Sequence, residues 1–223
     1  MLPRERRPEP LRPGAAGTDA GDRRRWIAGG VSREGPATGE DWGRYRIKSL
    51  LGAGGMGRVW KAWDPLLLRP VALKCLNAED PAAVERLLRE ARAQARIDHD
   101  NVCKVYEVGD VGGRPYIAMQ PVAGGSLRDA AAEMSVEQRV EVMRQAALGV
   151  HAAHRTGLIH RDLKPGNILV ERDEDGRPHP YVVDFGVARD TAAPPETRIG
   201  LAVGSVHYMA PEQARASEVD RRV

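Results

Sequence analysis

The chain has 223 residues, of which 42% are hydrophobic, 29% charged and 4% aromatic, with a net charge of +3. These values are typical of a soluble domain with appended segments, and they exclude collagen, a coiled coil and, with only two cysteines, a disulfide scaffold. The charge is too small and too dispersed to indicate a nucleic-acid partner. No stretch approaches the roughly 20 apolar residues of a membrane span, and no signal peptide begins the sequence. We therefore expect a cytoplasmic chain without a membrane segment, unless an anchor follows Val223.

The first 43 residues are expected to form a disordered tail. Residues 1–40 hold seven glycines, five prolines and eight arginines and show no sustained hydrophobic period. Such a segment cannot bury enough apolar surface to offset the entropy lost in ordering the chain. The pattern changes near Trp42, and we expect the folded domain to begin at residue 44.

Residues 44–120 carry the pattern of an α+β unit. Alternating residues predict strands at 45–51 and 58–63, joined by a glycine-rich connection. Further strands are predicted at 71–76, 102–108 and 115–119, and a helix over 81–97 after the N-cap Asp80. Alternation in the strand 71–76 places Ala72 and Lys74 on the same face. The two cysteines, Cys75 and Cys103, are expected to be small buried apolar residues.

Residues 121–223 begin with a helix and continue through a polar loop into two strands. Ser135 and Gln138 have the spacing of a capping box at the start of this helix. The stripe predicted to be buried comprises Val136, Val140, Met143, Ala147 and Val150. After Gly157 come a loop over 160–167 and strands at 168–170 and 181–184.

The glycine-rich connection is a candidate phosphate-binding segment. Gly52, Gly54 and Gly57 alone are a weak indication, because glycine-rich turns are common. A dinucleotide-binding fold would need a helix after the glycines, whereas strand propensity resumes at Val59, and no Gly-Lys-Ser/Thr of a Walker loop follows. We infer a flap between antiparallel strands whose amide groups can approach phosphates closely, with Lys74 within reach.

Two charged residues near this flap have structural alternatives. Lys74 could instead be a strand-end lysine in solvent. Glu90 lies at the edge of the apolar stripe of its helix, so it could point inward and hold Lys74. Its alternative is a surface pair with Arg86, which contributes only a few tenths of a kcal/mol.

The strongest chemical pattern is the segment His160–Asn167 followed by Asp184-Phe185-Gly186. Asp162, Lys164 and Asn167 supply a proton acceptor, a cation for phosphates and an oxygen ligand for a hard metal ion. Asp184 supplies a second oxygen ligand. Magnesium prefers one or two protein oxygens of this kind, with the rest of its shell from phosphates and water.

Six motifs stand in a fixed order along the chain. They are the glycine loop with Val59, the strand Val71-Ala72-Leu73-Lys74, Glu90, the loop His160–Asn167, the triplet Asp184-Phe185-Gly186, and Ala210-Pro211-Glu212. With them, residues 44–223 resemble the eukaryotic-type protein kinase family, in its bacterial serine/threonine branch. The resemblance implies an α+β, bilobal fold. It comprises a five-stranded antiparallel N-lobe with one helix over 44–120, and an incomplete, mainly helical C-lobe over 121–223.

The resemblance implies phosphorylation of serine or threonine in protein substrates, with ATP and Mg2+ as cofactors and with autophosphorylation. It assigns nucleotide contacts to Leu51, Gly52, Ala53, Gly54, Gly55, Met56, Gly57, Val59, Ala72, Lys74, Glu90, Met119, Gln120, Val122, Leu169 and Asp184. By this analogy adenine lies between Val59, Ala72 and Leu169. It bonds to the backbone of Gln120 and Val122, and Met119 is the gatekeeper.

The same resemblance assigns the catalytic roles. Asp162 would orient the hydroxyl and accept its proton, and Lys164 would offset charge near the γ-phosphate. Asn167 and Asp184 would hold Mg2+. Lys164, two residues after Asp162, favours a serine or threonine acceptor over tyrosine.

The resemblance also implies regulation: in this family an arginine before the catalytic aspartate, here Arg161, indicates that a phosphate on the activation segment, between Asp184 and Glu212, orders the loop. Thr197 is the first candidate for its site and Thr191 the second, while Ser205 is expected to shape the acceptor site. Autophosphorylation in trans would involve a homodimer.

Two other functions remain open at this point. One is a nucleotide-binding pseudokinase or scaffold, which would bind ATP without turnover. The other is a small-molecule phosphotransferase, which has a similar loop but does not explain Ala210-Pro211-Glu212. In the family, a segment like 219–222 leads into a long buried helix and several more helices. The C-lobe of this sequence is therefore expected to expose an apolar patch.

Overall fold

The computed structural model describes residues 36–54, 57–77, 81–185, 206–215 and 220. Its strands are β1 (Asp41–Trp42), β2 (Tyr45–Gly54), β3 (Gly57–Asp64), β4 (Arg69–Leu76), β5 (Val105–Val111), β6 (Arg114–Met119), β7 (Gly124–Ser126), β8 (Ile168–Arg172) and β9 (Pro178–Val182). Its α-helices are α1 (Pro81–Gln94), α2 (Leu127–Ala130), α3 (Val136–Arg155) and α4 (Pro211–Ala214), and 3-10 turns cover Ala131–Glu133, Pro165–Asn167 and Val206–Tyr208. Across these residues no helix is both long enough and apolar enough to cross a membrane.

An antiparallel sheet of six strands, in the order β1-β2-β3-β4-β6-β5, forms the N-lobe. On the central strand β4, Val71, Leu73 and Cys75 enter one apolar cluster of the sheet. Leu76, on the opposite face, packs in a second cluster with residues of α1. The predicted alternation and the α+β character of this lobe are confirmed, and β1 adds a sixth strand to the five expected.

The folded part begins earlier than the sequence predicted. Pro36 is buried, and β1 pairs with the start of β2. Trp42 is 6% exposed and meets Tyr116 edge to face, with ring centroids 5.4 Å apart. The prediction of a disordered tail is therefore wrong for residues 36–43. It was based on average composition, which does not show that a single aromatic residue, Trp42, packs in the core. Residues 1–35 lie outside the described residues.

A capping box begins α3, as predicted. The Gln138 amide donates to Ser135 Oγ at 3.2 Å, and the Ser135 amide donates to Gln138 Oε1 at 3.0 Å. These two bonds satisfy amide groups that the first turn of a helix would otherwise leave unpaired.

The buried face of α3 differs from the predicted stripe. Its buried residues are Val142, Ala146, Gly149 and Ala153. Among the residues of the predicted stripe, Val136, Val140, Met143 and Ala147 are exposed and Val150 is partly buried. The helix carries two adjacent faces of apolar or small residues, and the face with Gly149 packs inward. A Cβ at Gly149 would lie 2.8 Å from the Asn101 carbonyl oxygen, so glycine permits this close approach.

The segment before β5 joins the two lobes. Strands β7, β8 and β9 form a second antiparallel sheet. The Cys103 amide donates to the Val182 carbonyl at 3.0 Å, and the Val182 amide donates to the Asn101 carbonyl at 2.9 Å. Because these residues bond to β9, the predicted strand 102–108 starts only at Val105. Both cysteines are buried, as expected, and burial raises the pKa of each thiol to about 12.

Replacing Trp42 with alanine should lower the free energy of unfolding by about 3 to 5 kcal/mol, the usual cost of emptying an aromatic core position. The matched control is Leu66→Ala, because Leu66 is 70% exposed and surface truncations change stability by only about 0.5 kcal/mol. Urea unfolding of both variants and the parent chain measures the difference. An equal loss in the two variants would contradict the inclusion of residues 36–43 in the domain.

Candidate active site

The carboxylate of Asp162 is held by two neighbours in its own loop. Lys164 Nζ donates to Asp162 Oδ2 at 2.6 Å, and Asn167 Nδ2 donates to the same oxygen at 3.1 Å. The Asn167 amide also donates to the Asp162 carbonyl at 2.8 Å, across the 3-10 turn. No described residue bonds to Asp162 Oδ1, so this oxygen is available to a substrate proton.

His160 anchors this loop to the end of β9. Its ring is 1% exposed, with Nε2 3.0 Å from the Val183 carbonyl oxygen and Nδ1 3.3 Å from the Asp162 amide. The ring packs on Phe185, with centroids 4.8 Å apart. Burial lowers the pKa of His160, which favours the neutral ring. With the proton on Nε2, the ring donates to Val183 and accepts from Asp162.

Two non-glycine residues of the site have left-handed backbone conformations. Arg161 has a φ of +63° and Asp184 a φ of +57°, values that are uncommon outside glycine. The Arg161 carbonyl accepts a hydrogen bond from Gln213 Nε2 at 2.6 Å. This bond connects α4 to the loop 160–167, which we call the catalytic loop. Backbone strain is therefore concentrated directly before Asp162 and at Asp184.

Lys74 joins the N-lobe sheet to Asp184. It lies within β4, in register with Val59 on β3 and Ile117 on β6. Lys74 is 7% exposed, and its Nζ donates to Asp184 Oδ1 at 2.5 Å. The solvent-facing alternative for Lys74 is therefore wrong. Lys74, predicted to bind phosphate, and Asp184, predicted to bind the metal ion, contact each other directly.

Glu90 does not hold Lys74 in this structure, contrary to the prediction. Among the described residues its Oε2 is buried without a hydrogen-bond partner, and it forms neither an ion pair with Lys74 nor the alternative pair with Arg86. Burial raises the pKa of Glu90 to about 7, and Arg86, Arg161 and Arg89 offset this rise only in part. The prediction fails because helical spacing fixes the face of Glu90 but not its distance from β4.

The end of β2, next to the tip of the β2–β3 hairpin, is exposed to solvent at Leu51, Gly52, Ala53 and Gly54. Gly55 and Met56 lie outside the described residues. Gly57 has a φ of +138°, and a Cβ there would lie 2.0 Å from the Cys75 carbonyl oxygen. Because only glycine fits at this position, the hairpin backbone can pass close to β4 beside Lys74.

The predicted adenine contacts lie on β3, β4, β6, β8 and the connection after β6. Ala72 pairs in register with Met119. Val59 and Leu169 lie on β3 and β8. The Gln120 amide donates to the Lys104 carbonyl at 2.8 Å, and the Gln120 carbonyl accepts from Cys103 Sγ at 3.5 Å, which leaves this oxygen one lone pair for a base. The Val122 amide has no backbone partner within the described ranges.

Asn167 and Asp184 retain oxygen atoms that a magnesium ion would need. The Asn167 amide nitrogen is turned to Asp162, so its Oδ1 accepts no hydrogen bond from the described residues, and neither does Asp184 Oδ2. In the same part of the chain, no group of three or more His, Cys, Asp or Glu could hold a metal. An amide oxygen and a carboxylate oxygen fit Mg2+, which completes its shell with phosphate and water.

A family model described as the protein kinase domain matches residues 45–223. The chain belongs to the protein kinase family. This match confirms the resemblance that its six motifs indicated. The crystal structure of the Mycobacterium tuberculosis PknI kinase domain superposes on this kinase domain with a TM-score of 0.66 at 28% sequence identity. The superposition covers 84% of this chain and 72% of that one, and confirms the bilobal kinase fold.

The kinase domain is homologous to mycobacterial serine/threonine-protein kinases. It is 37% identical to PknA of Mycobacterium tuberculosis over 183 residues, which cover 77% of this chain and 42% of the relative. It is 38% identical to PknH of Mycobacterium bovis over 190 residues, which cover 82% of this chain and 31% of that relative. The chain thus matches less than half the length of either protein.

Some functional residues were missed, and others fall outside the described residues. No role was predicted for His160, although its position two residues before Asp162 and after Leu158 and Ile159 indicates burial. None was predicted for Gln213 either, because its contact with the loop 160–167 is tertiary. Besides Gly55 and Met56, the predicted residues Asp80, Gly186, Thr191, Thr197 and Ser205 lie outside the described ranges.

Glu90→Gln should flatten the pH dependence of stability between about pH 4.5 and pH 7. Because the pKa of Glu90 is higher in the folded chain than the ordinary 4.5, the folded state binds the extra proton and loses stability as pH rises. Across this window the parent should lose up to about 3 kcal/mol more than the variant. Chemical unfolding at several pH values measures both slopes.

The control for this prediction is Glu85→Gln, because Glu85 is 75% exposed and pairs with Arg89 on the helix surface. This variant should retain the slope of the parent. Parallel slopes for the parent and Glu90→Gln would show that Glu90 is not the titrating group.

Proposed function

We propose that this kinase domain transfers the γ-phosphoryl group of ATP to serine or threonine hydroxyls of protein substrates. The observation that carries the proposal is the state of Asp162. One carboxylate oxygen is fixed by Lys164 and Asn167, and the other accepts no hydrogen bond from the described residues. A carboxylate oriented in this way is suited to accept a hydroxyl proton. Homology to kinases named as serine/threonine-specific supports the choice of acceptor.

The proposed reaction is an in-line displacement. The substrate hydroxyl donates a hydrogen bond to Asp162 Oδ1, and its oxygen attacks the γ-phosphorus. The bond from phosphorus to the β,γ-bridging oxygen breaks, ADP leaves, and the hydroxyl proton passes to Asp162. Lys164 lies 2.6 Å from the other Asp162 oxygen, so it can offset the negative charge that gathers on the transferring group.

Lys74 would exchange partners when nucleotide binds. In the structure it is paired with Asp184, whereas the proposed role directs its ammonium group to the α- and β-phosphates. Asn167 Oδ1 and Asp184 Oδ2 would hold Mg2+, which when bound neutralises charge on the phosphates. This exchange keeps the buried Lys74 ammonium and the partly exposed Asp184 carboxylate compensated, since an unpaired buried ion would be costly.

The remaining contacts follow the same proposal. The hairpin with Gly57 would cover the phosphates, and the adenine would stack against Ala72 and Leu169.

Regulation by phosphate on Thr197 or Thr191, and autophosphorylation in trans through a homodimer, stay predictions. Because ATP is supplied in the cytoplasm, we place the reaction there.

Asp162→Asn should reduce phosphate transfer by about 10²- to 10⁴-fold, because it removes the proton acceptor. Nucleotide binding should be retained, since Lys74 and the hairpin are unchanged. Transfer of labelled phosphate to a threonine-containing protein and binding of a fluorescent ATP analogue measure the two effects separately. Asp129→Asn is the control, because Asp129 is exposed and bonds to Ser126.

Full transfer by Asp162→Asn would contradict this function. Nucleotide binding by the parent chain without transfer to any protein would instead favour the pseudokinase alternative. Transfer to a small molecule and never to protein would favour a small-molecule phosphotransferase.

A further inference from the structure

A groove beside the catalytic loop has two arginines on its walls. It has a volume of about 370 Å³ and is lined by Leu127, Arg128, Ala131, Arg139, Met143, Pro165 and Tyr208. None of these described lining residues is acidic. The groove therefore combines an apolar floor with positive charge. One of its lining residues, Pro165, is three positions after Asp162 in the chain.

Arg128 reaches directly over the catalytic loop. A Cβ built at Gly166 would lie 3.3 Å from Arg128 Nη2 and 3.9 Å from Lys164 Cε. The guanidinium and the lysine stem thus approach the same point of the loop from two sides. Because Gly166 has no side chain, this space is open to the guanidinium.

Among the described residues neither Arg128 nor Arg139 has an ion-pair partner, and both are exposed. The nearby carboxylates have other partners: Asp129 accepts from Ser126 Oγ at 2.6 Å, and Glu141 pairs with Arg144 at 2.6 Å. A carboxylate that enters the groove would therefore meet guanidinium groups that pair with no acid in the described part of the chain.

The groove is on the acceptor side of the site. Of the proposed nucleotide-side residues, Lys74 belongs to β4 and Asp184 lies two residues after the end of β9. Arg128 instead contacts the loop between Asp162 and Asn167, which the acceptor hydroxyl must approach. A charge at this place acts on the protein substrate and not on the nucleotide.

We propose that Arg128 selects protein substrates that carry a glutamate or aspartate beside the acceptor residue. Arg139 adds positive charge further along the groove, and the apolar floor of Leu127 and Met143 accepts the stem of the incoming side chain. This inference rests on the proposed phosphoryl transfer, whose acceptor it specifies.

The test uses three peptides that differ only in the residues flanking one threonine. Two glutamates, two alanines or two arginines stand on each side of it. The parent chain should phosphorylate the glutamate peptide with a kcat/KM about tenfold above that of the alanine peptide. The arginine peptide should be the poorest. Raising the salt concentration should shrink the preference, because exposed charges are screened.

Arg128→Glu should lose the preference for glutamate and favour the arginine peptide. Gly166→Glu should also reduce the glutamate preference, because it sets a carboxylate beside an unaltered Arg128. The control is Arg92→Glu, which makes the same change of charge at an exposed position of α1 and should keep the parent preference. Thermal melting of each variant checks that it is folded.

A binding measurement separates this inference from the proposed function. The same peptides with alanine in place of threonine are labelled, and their affinity for the parent and Arg128→Glu is followed by fluorescence anisotropy. If no peptide is phosphorylated, the proposed function fails, while tighter binding of the glutamate peptide that depends on Arg128 still supports the groove. Equal binding of the glutamate and alanine peptides, or an unchanged preference in Arg128→Glu, overturns the inference.

Discussion

Val182, the last residue of β9, and Val183 directly after it connect both lobes to one short stretch of backbone. Val182 exchanges two main-chain hydrogen bonds with the inter-lobe segment 101–103. Val183 bonds through its amide and its carbonyl to the loop 160–167. Asp184 follows directly, so its position is fixed by the N-lobe connection and the catalytic loop together. Every proposed catalytic contact depends on this junction.

The two aspartates of the site share one arrangement. In each carboxylate one oxygen is fixed by a lysine, Lys164 for Asp162 and Lys74 for Asp184. The second oxygen has no hydrogen bond from the described residues. Likewise, the side-chain nitrogen of Asn167 donates to Asp162, whereas its Oδ1 accepts no hydrogen bond from these residues. The protein therefore fixes the orientation of each group with one atom and leaves another for a ligand. Little reorganisation is needed when substrate and metal bind, which is the basis of electrostatic catalysis.

The sequence predicted those features that depend on local spacing. Asp162, Lys164 and Asn167 meet because they belong to one loop, and Lys74 faces inward because strand residues alternate. It failed where two segments must meet in space. The partner of Lys74 and the buried face of α3 depend on packing between elements. The contact of Arg128 with Gly166 is likewise invisible in sequence, since 38 positions separate them.

A thermal melt of the chain with and without Mg·ATP, for the parent and for Lys74→Met, tests the nucleotide site most directly. We expect one cooperative transition in the parent. At about 100 times its Kd the nucleotide adds about 2.7 kcal/mol, which raises the midpoint by several degrees. The variant should fold and show little of this shift. An absent shift in the parent, or an equal shift in both chains, would contradict a nucleotide site built on Lys74 and Asp184.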